Sequence, residues 1–175
     1  MTEELARSLG IPVRGIRGDD RFDLMLDGAD EVSPSLDLTK GGGGALLREK
    51  LLARLSSEVV IMVDPTKLVA TLGERHPIPV EVVPFSAPVV QQEADALGYR
   101  VEHRSTPEGG PFRTDNGNEI LDLFPREPLR APGDADASLR RLVGVVETGI
   151  FVGLADRVVI GRPDGTVEER TRHRP

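Results

Sequence analysis

Between residues 23 and 50 the chain reads DLMLDGADEVSPSLDLTKGGGGALLREK, and this stretch holds the side chains with most chemistry to offer. Two aspartates (Asp27, Asp30), a lysine (Lys40), four consecutive glycines (Gly41 to Gly44) and a glutamate in a helical pattern (Glu49) fall within it. Carboxylates act as bases or bind hydroxyls, and a lysine neutralises a developing oxyanion. Glycines let backbone N–H groups approach a ligand closely. The set suits a small polar substrate that passes through an anionic intermediate at the carboxyl end of a strand.

Each group has a plainer reading beside the chemical one. Glu49 has Ala45, Leu52 and Ala53 as its helical neighbours, so partial desolvation raises its pKa and makes it a usable base near neutrality. The plainer reading is a solvated glutamate paired with Arg48, Lys50 or Arg54. Asp27 and Asp30 sit where a strand ends, the place where open α/β sheets bind ligands. Asp-Gly turn chemistry explains them equally well. A third reading, hard oxygen ligands for a metal from Asp27, Asp30 and Glu31, is weaker because Lys40 and the glycine backbone supply positive charge without a cation. The glycine run fits neither the P-loop nor the dinucleotide fingerprint, which disfavours nucleotide binding. Lys67 falls in the first turn after Asp64-Pro65, where a cation opposes the helix dipole; that mild cost points to an anion partner, or else to a lysine in solvent. His76, His103 and His173 lie outside these clusters, so a histidine-driven mechanism has no support.

The elements that must position these groups follow from the apolar pattern. Residues 2–9 read as a short helix stopped by Gly10, followed by a brief strand at Ile11 to Val13. Phe22 to Leu26 suits a strand buried on both faces. Ala45 to Leu55 is helical, with Leu47, Leu51 and Leu55 recurring every fourth residue. Val59 to Val63 is a further buried strand, and Asp64-Pro65 starts a helix expected to run to about Leu72. Strand, glycine loop, helix, strand is the order of a parallel α/β layer. Beyond His76-Pro77-Ile78-Pro79 the order becomes β-α-β-β-α-β: Val80 to Val83, Ala87 to Leu97, Tyr99 to His103, Glu119 to Leu123, Asp134 to Leu142, Val145 to Thr148. That is a ferredoxin-like unit. Strands at Val158 to Gly161 and Thr166 to Glu169 are expected to return to the first sheet, and Arg170 to Pro175 to fray as a tail. The expected fold class is therefore α/β: an N-terminally incomplete Rossmann-like parallel-sheet domain (residues 1–76 plus 152–175) carrying an inserted ferredoxin-like α+β domain (residues 77–151).

Composition narrows the partners. The net charge of −7 argues against general nucleic-acid affinity, which needs a basic surface. Aromatic residues make up only 3% of the chain, too few for base-stacking platforms. No apolar run approaches the length of a membrane span, so no membrane partner is expected. The chain contains no cysteine, which excludes disulfides, thiolate metal sites and thiol nucleophiles and fits a cytoplasmic setting.

Taken in order, DGADEVSPSLDLTKGGGGALLREK, VDPTKLV with PIPVEVVPF, TDNGNEILDLF and GVVETGIF resemble type A ribose-5-phosphate isomerase over nearly the whole chain. The resemblance implies interconversion of ribose 5-phosphate and ribulose 5-phosphate through an enediolate, with no metal and no organic cofactor, in a homo-oligomer (dimer or tetramer). By position, Glu49 matches the family's proton-transfer base. Asp27, Gly28, Ala29 and Asp30 match one substrate-binding motif, and Lys40, Gly41, Gly42 and Gly43 match the other. Lys67 matches a lysine associated with the substrate phosphate. Asp27 and Lys40 would join Glu49 in catalysis, with the separate roles of Asp27 and Asp30 left open. The family's opening helix, strand and Gly-Thr-Gly-Ser-Thr type phosphate loop find no match in this sequence. Two alternatives therefore stand beside the isomerase: a sugar-phosphate-binding module, and an inactive truncated remnant of the enzyme.

Overall fold

A computed structural model describes residues 2–172. Helix α1 (Thr2–Ser8) precedes β1 (Phe22–Asp27), followed by two short strands, β2 (Glu31–Val32) and β3 (Leu38–Thr39). Helix α2 (Leu46–Leu55) runs directly into β4 (Ser56–Val63). Next come β5 (Ile78–Val82), α3 (Ala87–Ala96), β6 (Tyr99–His103), β7 (Glu119–Pro125), α4 (Pro132–Arg140) and β8 (Val145–Thr148). The chain closes with β9 (Ile150–Phe151), β10 (Arg157–Gly161) and β11 (Val167–Thr171).

Three sheets result. The first has the order β1-β4-β10-β11, with β1/β4 and β4/β10 parallel and β10/β11 antiparallel. The second has the order β6-β7-β5-β8 with every pair antiparallel. Its two parallel strands, β5 and β6, are separated by β7, as the ferredoxin-like reading requires. The third, β2-β3-β9, was not expected. Its strands are two residues long, too short to leave any periodicity, yet it joins the end of the 77–151 segment to the loop that carries Lys40. Two apolar cores form, one around Ile78, Val80, Val90, Leu121 and Leu139, the other around Leu38, Leu46, Val59, Ile61, Phe151 and Ile160. The α/β fold class expected from the residue pattern is the one observed.

Several local expectations are corrected. Ile11 to Val13 forms no strand; the Ile11 N–H instead donates to Ala6 O at 2.9 Å and closes the end of α1. β1 is not buried on both faces, because among the described residues it pairs only with β4 and leaves Leu24 and Leu26 46% and 57% exposed. The inward face of α2 is Leu46, Lys50 and Ala53, not the Leu47-Leu51-Leu55 row. After Asp64 the chain makes only a 3-10 turn, Pro65–Lys67, because Leu68 and Val69 are drawn into bridging contact with Val32. Arg170 and Thr171 extend β11 instead of fraying, and Arg172 donates to Asp37 and to Ala155 O. His173 and the rest of the expected tail lie outside the described residues.

Candidate active site

The end of β1 delivers Asp27, and the following loop delivers Gly28, Ala29 and Asp30. The end of β3 delivers Lys40, and the first turn of α2 delivers Glu49. These residues, with Gly41, Gly42 and Gly43, line one cavity of about 230 Å³. Lys40 stands at its centre. The side chain is only 4% exposed, and its Nζ lies 2.9 Å from Asp27 Oδ2, 3.4 Å from Glu49 Oε2 and 2.5 Å from Gly28 O. The backbone of Lys40 is pinned as firmly, since its N–H donates to Gly149 O at 2.9 Å. A Cβ at position 149 would lie 2.3 Å from Lys40 O, so only glycine permits this approach.

Glu49 projects from the first turn of α2 toward Lys40. Its side chain is 26% exposed, and Oε2 is buried without a hydrogen-bond partner, the Lys40 ammonium at 3.4 Å being an ion pair only. Burial pushes its pKa above the ordinary glutamate value of 4.5; Lys40 opposes that shift and Asp27 adds to it. The desolvation inferred from the small neighbours is thus present, but the solvated pairing with Arg48, Lys50 or Arg54 is not. Arg48 instead bonds Asp115 and Asn116, and Lys50 points into the core.

The two aspartates differ in their contacts. Asp27 pairs with Lys40 and accepts the Gly28 N–H at 2.7 Å. Asp30 accepts the Gly42 N–H at 2.8 Å and so ties the glycine loop to the end of β1, while its own N–H donates to Thr39 O at 2.8 Å. One carboxylate addresses the lysine, the other holds the loop. The neighbouring Glu31 is not a ligand in waiting: it is fully buried and accepts the N–H groups of Gly73, Arg75 and His76 at 2.6, 2.6 and 2.9 Å. Among the described residues no group of three histidine, aspartate or glutamate side chains is arranged to hold a metal ion.

Lys67 does not enter this cavity. It lines an adjoining cavity of about 500 Å³ with Met62, Val63, Asp64, Val159 and Gly161, and the two share Gly28 and Ala29. The dipole argument for Lys67 also falls, because a three-residue 3-10 turn offers no helix N-terminus to oppose and Lys67 is its last residue.

Residues outside the first motif shape the site as well. Lys50 turns inward from α2, where its Nζ meets Glu147 Oε1 and Thr148 O, each at 2.7 Å, and lies 4.8 Å from the Phe151 ring centre. Its spacing from Leu46 (i+4) and Ala53 (i−3) was the one available sign that it faces the core. The 114–118 turn is folded around Glu81, whose Oε1 accepts from Thr114, Asn116 and Asn118, and it presents Asp115 to Arg48 of α2. Arg104, at the end of β6, reaches the carbonyls of Gly41 and Gly42. No local pattern announces a contact made across so much intervening chain.

A model of the family described as ribose 5-phosphate isomerase A (phosphoriboisomerase A) matches residues 1–165 of this chain. The ribose-5-phosphate isomerase A of Thermomicrobium roseum is 47% identical over 173 residues, 98% of this chain and 73% of that protein. Its counterpart in Bacillus mycoides is 43% identical over 168 residues, 95% of this chain and 75% of that protein. Among solved structures, the ribose 5-phosphate isomerase of Plasmodium falciparum superposes with a TM-score of 0.93 at 35% identity, over 99% of this chain and 75% of that one. A D-ribose-5-phosphate isomerase in complex with phospho-erythronic acid superposes with a TM-score of 0.91 at 36% identity, over 97% of this chain and 74% of the other.

Proposed function

The chain belongs to the ribose 5-phosphate isomerase A family, an aldose–ketose isomerase interconverting D-ribose 5-phosphate and D-ribulose 5-phosphate, and from that premise we propose that Glu49 moves the proton between C2 and C1. The observation that carries this reading is the position of the Glu49 carboxylate. It is desolvated, raised in pKa, and aimed into a small polar cavity with a buried lysine 3.4 Å away.

With the open-chain sugar in the cavity, Glu49 removes the C2 proton of the aldose and returns it to C1 through a cis-enediolate. Negative charge then grows on O1 and O2. The Lys40 ammonium, already held by Asp27 and Gly28 O, stabilises that charge without having to reorganise. Asp27 holds the Lys40 ammonium in place and assists proton movement between the two oxygens. Asp30 holds the glycine loop, whose backbone lines the cavity beside the reacting end. Lys67 binds the phosphate from the adjoining cavity, and because the two cavities share Gly28 and Ala29 one extended sugar phosphate reaches both. No step is routed through a cofactor.

We also place the division between the Rossmann-like part (1–76 plus 152–175) and the ferredoxin-like part (77–151) at the start of β5 and the end of β9, supported by the sheet β6-β7-β5-β8 lying wholly within 77–151 and the sheet β1-β4-β10-β11 wholly outside it. A homo-oligomer, dimer or tetramer, belongs to the same reading, supported by apolar side chains left on the surface such as Phe85 and Val143. The absence of cysteine supports a cytoplasmic setting.

The decisive test is Glu49→Gln assayed for exchange of the substrate C2 proton with solvent. Exchange is expected to disappear while binding of phospho-erythronic acid persists. Exchange at the unsubstituted rate would remove Glu49 from the role, and sugar-phosphate binding by the unsubstituted protein with no turnover would favour a binding module.

A further inference from the structure

We propose that Arg104 is a positioning residue of this reaction, clamping the glycine loop so that its N–H groups are set toward the site. The proposal rests on the isomerase reading above. Arg104 comes from the ferredoxin-like part, immediately after β6, yet its Nη1 donates to Gly41 O and Gly42 O, both at 3.0 Å. Its other edge is locked: Nε donates to Asp122 Oδ2 at 2.8 Å, and Nη2 pairs with Asp122 Oδ1. The guanidinium and the Asp122 carboxylate are 15% and 14% exposed, so the pair is largely shielded from water. The Phe112 ring lies 5.7 Å from the guanidinium, and the same ring closes against Gly44, where a Cβ would come within 2.5 Å of it.

Two carbonyls held by one cation fix two peptide planes. A trans peptide directs its C=O and its N–H to opposite sides. Holding Gly41 O therefore sends the Gly42 N–H away from Arg104, and it is there that it donates to Asp30 in the cavity wall at 2.8 Å. Holding Gly42 O does the same for the Gly43 N–H. The positive charge on the carbonyl side also polarises both peptides and makes their N–H groups stronger donors. The Gly42 N–H is thereby committed to Asp30 and holds the loop, while the Gly43 N–H, preset beside a developing oxyanion, lowers a barrier without reorganisation in the transition state. Lysine cannot replace this, since a single ammonium cannot hold Asp122 at two points and both carbonyls together.

The test is Arg104→Lys, with Arg100→Gln in the adjoining β6 as the control, because among the described residues Arg100 pairs with exposed Glu102 and stacks on Phe124. In Arg104→Lys, kcat is expected to fall by about 30- to 100-fold, the scale of a loop displaced by somewhat under 1 Å, with KM within about threefold. Amide exchange at Gly42 and Gly43 should accelerate, and phospho-erythronic acid, whose carboxylate offers oxygens resembling the developing charge, should bind more weakly. Arg100→Gln should change none of these. A kcat within twofold of the unsubstituted protein, a loss appearing wholly in KM, or unaltered exchange at Gly42 and Gly43 would each overturn the proposal. If Arg104→Lys fails to fold, Asp122→Asn, which loosens the guanidinium while leaving it in place, is judged by the same readings. Absence of turnover in the unsubstituted protein would count against the isomerase reading instead, and Arg104 would then stand or fall on the amide exchange alone.

Discussion

Two adjacent glycines in the loop are expected to respond oppositely to the same added methyl group. A Cβ at Gly42 would lie 2.7 Å from Asp30 Oδ1 and 3.2 Å from both Cγ and Oδ2, whereas a Cβ at Gly43 meets nothing within 4 Å. Neither residue has a positive φ, so alanine is conformationally allowed at both and only the contact differs. Ordinary contact begins near 3.4 Å, so Gly42→Ala must move Asp30 or the loop by about 0.7 Å. Moving Asp30 breaks its 2.8 Å bond from the Gly42 N–H; moving the loop shifts the groups beside Lys40. A misplacement of about 1 Å costs on the order of 100-fold in rate, so this shift is worth about 30-fold in kcat, or ~2 kcal/mol of barrier. Gly43→Ala should leave kcat within about threefold, and any intrusion on the substrate should appear in KM, as lost uniform binding. The assay is initial-rate conversion of ribose 5-phosphate to the ketose, with KM and kcat separated. The cycle with Asp30→Ala isolates the cause: once the obstructing carboxylate is gone, Gly42→Ala should add little. A Gly42→Ala variant at full kcat, or one whose penalty is undiminished in the Asp30→Ala background, would refute the collision.

The raised pKa of Glu49 carries two further expectations. The acid limb of the kcat/KM profile should lie above the ordinary glutamate value of 4.5, and a limb at or below that value would contradict the raised pKa. Because the folded pKa exceeds the unfolded one, Glu49 contributes stability below 4.5 that is lost as pH rises through the folded value. Glu49→Gln should therefore melt higher than the unsubstituted protein at pH 8, by about 2–4 °C for each kcal/mol relieved, and lose that advantage at pH 4; equal melting at pH 8 would contradict the desolvation. At Lys50, substitution by methionine leaves buried Glu147 with Arg140, at 2.9 Å, as the one remaining cation paired with it among the described residues. A loss of about 2–3 kcal/mol is expected, at the low end for breaking a buried pair because Arg140 remains. Denaturant unfolding should show the penalty, and Lys50→Met with Glu147→Gln should recover part of it; full stability in Lys50→Met would mean the pair holds nothing.

Much of this arrangement was legible in local order. The strand-loop-helix run, with acids at its entrance and a glutamate on its helix, reads directly from local order, since a strand must end before its loop can hold a ligand and a helix sets its side chains at fixed angles. The β-α-β-β-α-β order was equally plain, because turn residues and periodicity are local signals. Errors arose where neighbours distant in sequence decide the outcome. The leucine row at 47, 51 and 55 looked like the inward face of α2, yet Lys50 turns inward because Glu147 and Thr148 wait there. β1 reads as doubly buried, but burial depends on which strands and helices stand beside it. Two-residue strands such as β2, β3 and β9 leave no pattern, although they fix the backbone of Lys40.

By itself the sequence determined the types and order of the chemical groups, the family they resemble and the class of fold that carries them. Those depend on residue identity and near-neighbour spacing. Only the tertiary structure divided the work between Asp27, which addresses Lys40, and Asp30, which ties down Gly42. It alone separated the Lys67 cavity from that of Glu49 and brought Arg104 onto the glycine carbonyls. The physical reason is shared: hydrogen bonds and desolvation depend on distances of a few ångströms between segments that packing, not sequence proximity, brings together.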